Sequence, residues 1–282
     1  MGAFELNGLI LTAYSMKLSI IIVNYKMAPL VAALVESLLQ DELPKKTEII
    51  VVDNNSQDES VAFLRSDYPE ITVIDNKENL GLAAGVNTGM AAARGQYSLI
   101  LNPDMVALPG GVAKLVDFMD THADAGMAAG KLLSPNGKLQ YSCFRFYKPM
   151  TIVYRRTMLG KTKAGKAEIA RFLMKDFDHA SARQVDWLMG ACLMVRREVV
   201  KQIGGMDERY FLYFEDVDWC RRVWEAGWKV MYVPAAQFSH FHQRSSDGNS
   251  LTKIFSSRPT REHIKSVIKY FWKFHGKRLP HS

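Results

Sequence analysis

The strongest constraint on this chain is an alternation in its first hundred residues, where short runs rich in Val and Ile give way repeatedly to stretches of helical periodicity. Residues 18–23, 48–52, 71–75 and 97–101 have strand length and β-branched composition, whereas 30–39, 58–65 and 86–93 repeat at helical spacing, the first with Pro29 in its opening turn. Such alternation is the signature of βαβ units on a parallel sheet, so the expected fold class is α/β, a Rossmann-like and mostly parallel central sheet flanked by helices. Polar residues close these strands: Asn24-Tyr25 after the first, Asp53-Asn54-Asn55-Ser56 after the second, and Asn102-Pro103-Asp104 after the fourth. Open parallel sheets bind ligands at the carboxyl ends of their strands, which places a site there.

The second half is less regular. Residues 127–133 and 188–195 read as strands, a helix follows Asp216 to about Ala226 and is closed by Gly227, and 228–233 reads as a last strand ending at Pro234. Residues 155–175 carry seven Lys or Arg against the single acidic Glu168, either a helical excursion or a mobile loop. Residues 262–277 form the clearest amphipathic pattern: Ile264, Val267, Ile268, Phe271 and Trp272 share one stripe, and Lys265, Lys269 and Lys273 another. That helix suits either docking on its own domain or contact with a membrane surface or partner groove. The expected organisation is an N-terminal extension over 1–16, one catalytic domain over 17–250 and a basic helical segment over 251–282. Residues 1–15 lack the basic start and apolar stretch of a secretory signal, and Met16-Lys17 is itself a workable start.

Composition narrows the partners. A net charge of +7 favours an anionic partner, a phosphorylated small molecule, an acidic membrane or a nucleic acid. No recognisable nucleic-acid module is present, so nucleic acid is not expected. Nor does any apolar segment approach the roughly 18–20 residues a membrane span requires. Cys143, Cys192 and Cys220 are too few and too scattered for a disulfide framework, which fits packing residues in a reducing, cytoplasmic setting.

Several carboxylates stand where chemistry needs them. Asp104 would project from a strand end into the sheet crevice and could meet a metal, although Asn, Pro and Asp also suit an ordinary strand-terminating turn. Asp53 allows the same two readings. Glu215, Asp216 and Asp218 crowd three carboxylates into the start of a helix, where they serve either as catalytic groups or as a capped, solvated first turn. His240 and His242 follow a strand and are candidate metal ligands or simply structural.

In order and together, these segments resemble the family 2 glycosyltransferases, in particular the rhamnosyltransferase-like branch, over about residues 17–246. The resemblance rests on residues 19–25 (SIIIVNY), 51–56 (VVDNNS), 78–81 (ENLG) with Asn87 and Gly89, 101–104 (LNPD), 186–192 (DWLMGAC) and 204–218 (GGMDERYFLYFEDVD). It implies a GT-A fold and inverting transfer of a single sugar from a nucleotide diphosphate donor to a glycan or lipid-linked acceptor in cell-envelope polysaccharide synthesis. By position it implies donor contacts from Asn24, Tyr25, Asp53, Asn79, Gly81, Asn87 and Asn102. Asp104 and His240, six residues after Pro234, would hold Mg²⁺ or Mn²⁺, and Trp187 and Gly190 would meet the acceptor. Asp216 would be the general base, Glu215 would orient the acceptor, and Asp218 is an alternative base. Asn102 replaces the first Asp of the family's Asp-x-Asp motif, which removes one charged metal ligand. The Gln-x-x-Arg-Trp motif of processive synthases is missing, consistent with addition of one residue.

The expected donor is dTDP- or UDP-linked, with rhamnose favoured over a UDP-hexose or UDP-galactofuranose. A dinucleotide oxidoreductase is excluded because no Gly-x-Gly-x-x-Gly follows the first strand, where Asn24-Tyr25-Lys26 stands. An inactive protein that only binds a nucleotide sugar or glycan is the reading from another class. The basic stretch 155–175 reads either as a solvated helix face or as a contact for a lipid-linked diphosphate acceptor or anionic headgroups, and the second reading, with the basic C-terminal helix, places the protein on the inner face of the cytoplasmic membrane.

Overall fold

The structure, a computed structural model, describes residues 3–6, 9–12, 14–241 and 258–280. Strands β1 (Ala3–Leu6) and β2 (Leu9–Thr12) pair with each other as an antiparallel hairpin. The parallel half follows: β3 (Met16–Asn24), α1 (Ala28–Leu39), β4 (Thr47–Asp53), α2 (Ser60–Asp67), β5 (Thr72–Asp75), α3 (Leu82–Ala92) and β6 (Gly95–Leu101). These match the expected elements to within a few residues, except that α3 begins four residues earlier than its periodicity suggested. The remainder comprises β7 (Met105–Ala107), α4 (Gly111–Thr121), β8 (Ala125–Leu133), β9 (Leu139–Gln140), β10 (Cys143–Phe144), α5 (Pro149–Arg156), a 3-10 turn (Met158–Lys161) and α6 (Lys163–Phe172). It ends with β11 (Arg183–Gln184), β12 (Trp187–Leu188), β13 (Cys192–Arg196), α7 (Arg197–Ile203), α8 (Glu215–Glu225), β14 (Lys229–His240) and α9 (Arg258–Lys273).

One ten-stranded sheet runs in the order β11-β14-β8-β13-β6-β3-β4-β5, with β7 beside β14 and β9 beside β8. The β6-β3-β4-β5 block is parallel, and β13 enters antiparallel to both β6 and β8. Side chains alternate across it. Leu18, Ile20 and Ile22 pack with Val31, Leu34, Val35 and Leu38 of α1 and with Val112 and Leu115 of α4 on one face. The other face meets α3, α8 and α9 through Val86, Val217, Val223, Tyr270 and Phe274. The result is a central sheet covered on both sides, as the alternating pattern requires.

Three local expectations are corrected. Residues 188–195 form two strands in different sheets, β12 pairing antiparallel with β10 apart from the central sheet and β13 lying within it, with Met189–Ala191 between them. The basic stretch is helical, as α5, the 3-10 turn and α6. Pro234 does not end the last strand. It sits in a register slip, Val233 facing Gly130 and Gln237 facing Lys131, after which β14 continues to His240. Proline has no N–H to give to a ladder, and a bulge accommodates it without ending the strand.

The C-terminal helix α9 docks by one face and exposes another. Ser266, Tyr270 and Phe274 are buried, with Val267 and Phe271 beside them, while Ile268 and Trp272 are 64% and 78% exposed and Ile264 also faces out. The predicted apolar stripe is thus divided between the core and solvent. Its lysines are engaged too: Lys273 Nζ reaches Asp207 and Asp218 at 2.7 and 2.5 Å, and Lys269 donates to the carbonyl of Arg209. The expected boundary near residue 250 lies outside the described residues. No helix among the described residues is long and apolar enough to cross a membrane.

Candidate active site

A cleft of about 390 Å³ opens beside the ends of β6 and β14 and the start of α8, and its lining brings together Asn102, Asp104, Trp187, Gly190, Glu215, Asp216 and His240. Asp104 lies in the tight connection from β6 to β7 and His240 ends β14, paired with Met105 in the neighbouring strand. The His240 Nε2 atom lies 3.4 Å from Asp104 Oδ2. Gln140 of β9, a hundred residues away, holds this arrangement. Its Nε2 donates to the His240 carbonyl at 3.1 Å, which leaves Oε1 as the partner of His240 Nδ1 at 2.8 Å. An amide oxygen can only accept, so Nδ1 donates to Gln140 and Nε2 is the ring nitrogen turned towards Asp104. One hard oxygen and one oriented imidazole nitrogen converging in a cleft fit a divalent cation. No cluster of three such side chains occurs among the described residues, so any further ligands would come from outside this pair. His242 lies outside the described residues.

The second group of carboxylates is divided by the helix that carries it. Glu215 and Asp216 face the cleft at the first turn of α8. Asp216 is half-buried, accepting from the Gly190 N–H at 3.0 Å and the Val217 N–H at 2.8 Å, and burial pushes its pKa up to about 6 against those two donors. Glu215 is 4% exposed, and its Oε2 has no hydrogen-bond partner. Burial, then the neighbouring Asp216 charge, holds its carboxyl pKa well above the usual range. Asp218 does not suit the alternative base role. It is fully buried on the inner side of α8 and bound by Arg222 at 2.7 Å, Lys273 at 2.5 Å and the Tyr210 hydroxyl at 3.3 Å, so it anchors α9 and does not reach the cleft.

The expected donor residues occupy the adjoining strand ends but differ in what they touch. Asn24 and Asp53 face each other across β3 and β4, both buried. Asp53 accepts from Asn24 Nδ2 and Ser56 Oγ, both at 2.6 Å, and from the Ser56 N–H at 2.8 Å, so its carboxylate is fully engaged within the protein. Tyr25, by contrast, is exposed beside them. Asn79 accepts from the Gly81 N–H, and Asn54 donates to both Asn79 and the Gly81 carbonyl, which ties this loop to the end of β4. Gly81 has φ +94, and a Cβ there would come within 2.3 Å of the Phe211 carbonyl oxygen, so only glycine lets the loop lie against residues 210–214. Asn87 clasps the Met206 backbone with its amide, by two bonds of 2.8 and 2.9 Å, and is not among the residues that line this cleft.

On the acceptor side, Trp187 lines the cleft, but its ring is stacked on Phe144 at 4.4 Å and lies beside Tyr147 at 5.7 Å, so it works mainly as part of an aromatic wall. Gly190 holds Asp216 through its N–H, and a Cβ there would press on the Asp216 side chain at 3.4 Å. Gln140, Tyr147 and His263 were not foreseen, whereas Arg155 and Arg156 belong to the basic stretch expected either as a solvated helix face or as a contact for a lipid-linked diphosphate acceptor or anionic headgroups.

The glycosyl transferase family 2 model matches residues 19–204, and a model described as the N-terminal domain of galactosyltransferase matches residues 176–244. The chain is 30% identical over 243 residues to N-acetylglucosaminyl-diphospho-decaprenol L-rhamnosyltransferase of Mycobacterium tuberculosis, covering 82% of this chain and 78% of that one. It is 28% identical over 258 residues to rhamnosyltransferase WbbL of Escherichia coli K12, covering 89% and 91%. In fold it is similar to GalNAc-T7, solved with UDP, GalNAc and Mn²⁺, with a TM-score of 0.65 at 16% identity over 92% of this chain and 49% of that one. It is also similar to the mannosyltransferase PcManGT from Pyrobaculum calidifontis, solved with GDP-Man and Mn²⁺, with a TM-score of 0.58 at 17% identity over 91% and 65%. The chain thus spans about half of the first of these solved structures and just under two thirds of the second. With the GT-A fold, the cleft at the strand ends and a family match over most of its length, the chain belongs to glycosyl transferase family 2.

Proposed function

We propose that the protein transfers one sugar, rhamnose, from a nucleotide diphosphate donor to a hydroxyl of a lipid-linked or glycan acceptor in cell-envelope polysaccharide synthesis, with inversion and with Mg²⁺ or Mn²⁺. The observation that carries this reading is the meeting in one cleft of the Asp104–His240 pair and a carboxylate, Asp216, whose pKa lies near 6. Both named relatives are rhamnosyltransferases, and the M. tuberculosis enzyme takes its name from a decaprenol-linked acceptor.

Asp104 and His240 would hold the cation, which when bound neutralises charge on the leaving diphosphate. Tyr25 stands open beside the Asn24–Asp53 network to meet the base, and Asn102 lines the cleft for the donor. Above its pKa, Asp216 is ionised and takes the proton of the acceptor hydroxyl as that oxygen bonds to the anomeric carbon. The bond from that carbon to the diphosphate oxygen breaks on the opposite side, its electron pair leaves with the diphosphate, and the configuration inverts. The Gly190 and Val217 N–H groups fix the carboxylate in place. Glu215, with an unpartnered and buried Oε2, would hydrogen-bond the acceptor and orient it. The outward Ile264, Ile268 and Trp272 of α9, with Met158 and Leu159 beyond α5, are suited to an anionic membrane face.

The test is a thermal-shift screen against dTDP, UDP and GDP, each with and without Mn²⁺. A Mn²⁺-dependent rise with dTDP or UDP that Asp104→Ala removes is expected. No shift with any nucleoside diphosphate would overturn the reading.

A further inference from the structure

Two arginines stand in the cleft wall with the proposed base and metal pair. Arg155 and Arg156 close α5, and both line the same cleft as Asp216, together with Pro259, Thr260 and His263 of α9. Arg155 Nη1 donates to the Tyr147 hydroxyl at 2.9 Å, and its guanidinium lies 4.6 Å from the Phe172 ring centroid. Tyr147 in turn lies close enough to Asp216 to feel its charge. Neither arginine forms a salt bridge with any carboxylate among the described residues, including the three that line the cleft. Burial first, and then Arg156 and Arg155, push the His263 pKa down to about 4, so the imidazole is neutral at neutral pH and the positive charge here is that of the arginines.

Resting on the proposed function, we infer that Arg155 and Arg156 form a second anionic subsite, separate from the Asp104–His240 pair, that grips a diphosphate carried by the acceptor between its sugar and its lipid. Arginine's planar fork matches phosphate oxygens, and a half-enclosed cleft strengthens that attraction over its value in water. Positive charge at the C-terminal turn of α5 is also favoured by the helix itself. Exposed apolar side chains follow in the chain, Met158 and Leu159 on the 3-10 turn and Ile264 next to His263. One acceptor's sugar, diphosphate and hydrocarbon would thus be offered a carboxylate, two guanidinium groups and exposed apolar side chains.

The probe is geranyl diphosphate, titrated into the full chain by calorimetry in EDTA, with geraniol as the neutral control. A separate titration of dTDP and UDP with Mn²⁺ reads the donor side. Wild type should bind geranyl diphosphate well ahead of geraniol, and Arg156→Gln should weaken that binding about ten- to a hundredfold, the range of a charge-assisted hydrogen bond. Arg156→Lys should recover part of it, and Mn²⁺-dependent nucleotide binding should be unchanged in both variants. Equal binding of geranyl diphosphate by wild type and Arg156→Gln would overturn the inference. So would a parallel loss of nucleotide binding, which would assign the arginine to the donor. Failure of wild type to bind either nucleotide with Mn²⁺ would instead sink the proposed function, and the two failures are read in separate titrations.

Discussion

Replacing Asp216 with Asn should separate catalysis from stability in a pH-dependent way. The folded pKa of Asp216 is raised from 3.8 to about 6 by burial. A carboxyl whose folded pKa lies above its unfolded value stabilises the fold fully below the unfolded pKa, and that contribution is lost as pH rises through the folded one. The whole shift corresponds to about 3 kcal/mol at 1.36 kcal/mol per pH unit, and roughly half of it is lost between pH 5 and 7.5. Asp216 is only half-buried, and solvent screening reduces that half to about 1 kcal/mol. In a chain of this size that is a shift of about 2 °C. Asn cannot titrate, so the melting temperature of Asp216→Asn minus that of wild type should be about 2 °C more positive at pH 7.5 than at pH 5, measured by calorimetry in EDTA. The absolute offset is less informative, since Asn offers only one acceptor to the two N–H donors on Asp216. Turnover should fall by about two to four orders of magnitude, the range for losing a general base, and the wild-type rate should rise through an acidic limb near pH 6. Parallel melting curves for the two proteins across this range would refute the buried, raised carboxyl. Near-normal turnover in the variant would refute the base.

Two further outcomes follow from the same geometry. Gln140→Leu should weaken Mn²⁺ binding about ten- to a hundredfold by calorimetry, because the His240 ring loses the acceptor that fixes its tautomer, with little change in melting temperature without metal. Lys273→Met should lower stability by about 2 kcal/mol, since Asp218 stays buried with one cation fewer. It should also speed proteolysis within α9, and unchanged protease sensitivity would count against the clamp.

The parallel half was legible because its strands are β-branched and its polar residues fall where strands end. The antiparallel half was less so. Pro234 read as a stop because a local rule cannot see the neighbouring β8, whose register lets the strand slip and resume. The break at Gly190 was hidden inside an apolar run, and its reason, the approach of Asp216, lies 26 residues away. Asp104 and His240 were named from their motif, yet Gln140 left no trace, since a lone Gln in a two-residue strand has no pattern to betray a partner a hundred residues on. Asn87 and Asp218 carried the same motif signal as residues in the cleft. Only packing distinguishes a polar side chain that meets a ligand from one that clasps the Met206 backbone or a C-terminal helix. The amphipathic stripe of α9 was read as one face, but the sequence does not tell which part of a broad stripe a neighbour covers.

The slip in β14 makes this strand two instruments joined by a loose coupling. Upstream of Pro234 its spacing is dictated by the core partners of Val230 and Tyr232; downstream, Phe238 to His240 answer to β7 and the cleft. Three residues, 234–236, stand between consecutive partners on β8, so the length of that segment can drift without unzipping the sheet. The drift is not subject to parity: from Val233 to Gln237 four steps along β14 already meet a single step along β8, so the facing of His240 is set by its pairing with Met105 and not by counting back through the joint. A residue gained or lost within 234–236 should therefore leave His240 turned towards Asp104.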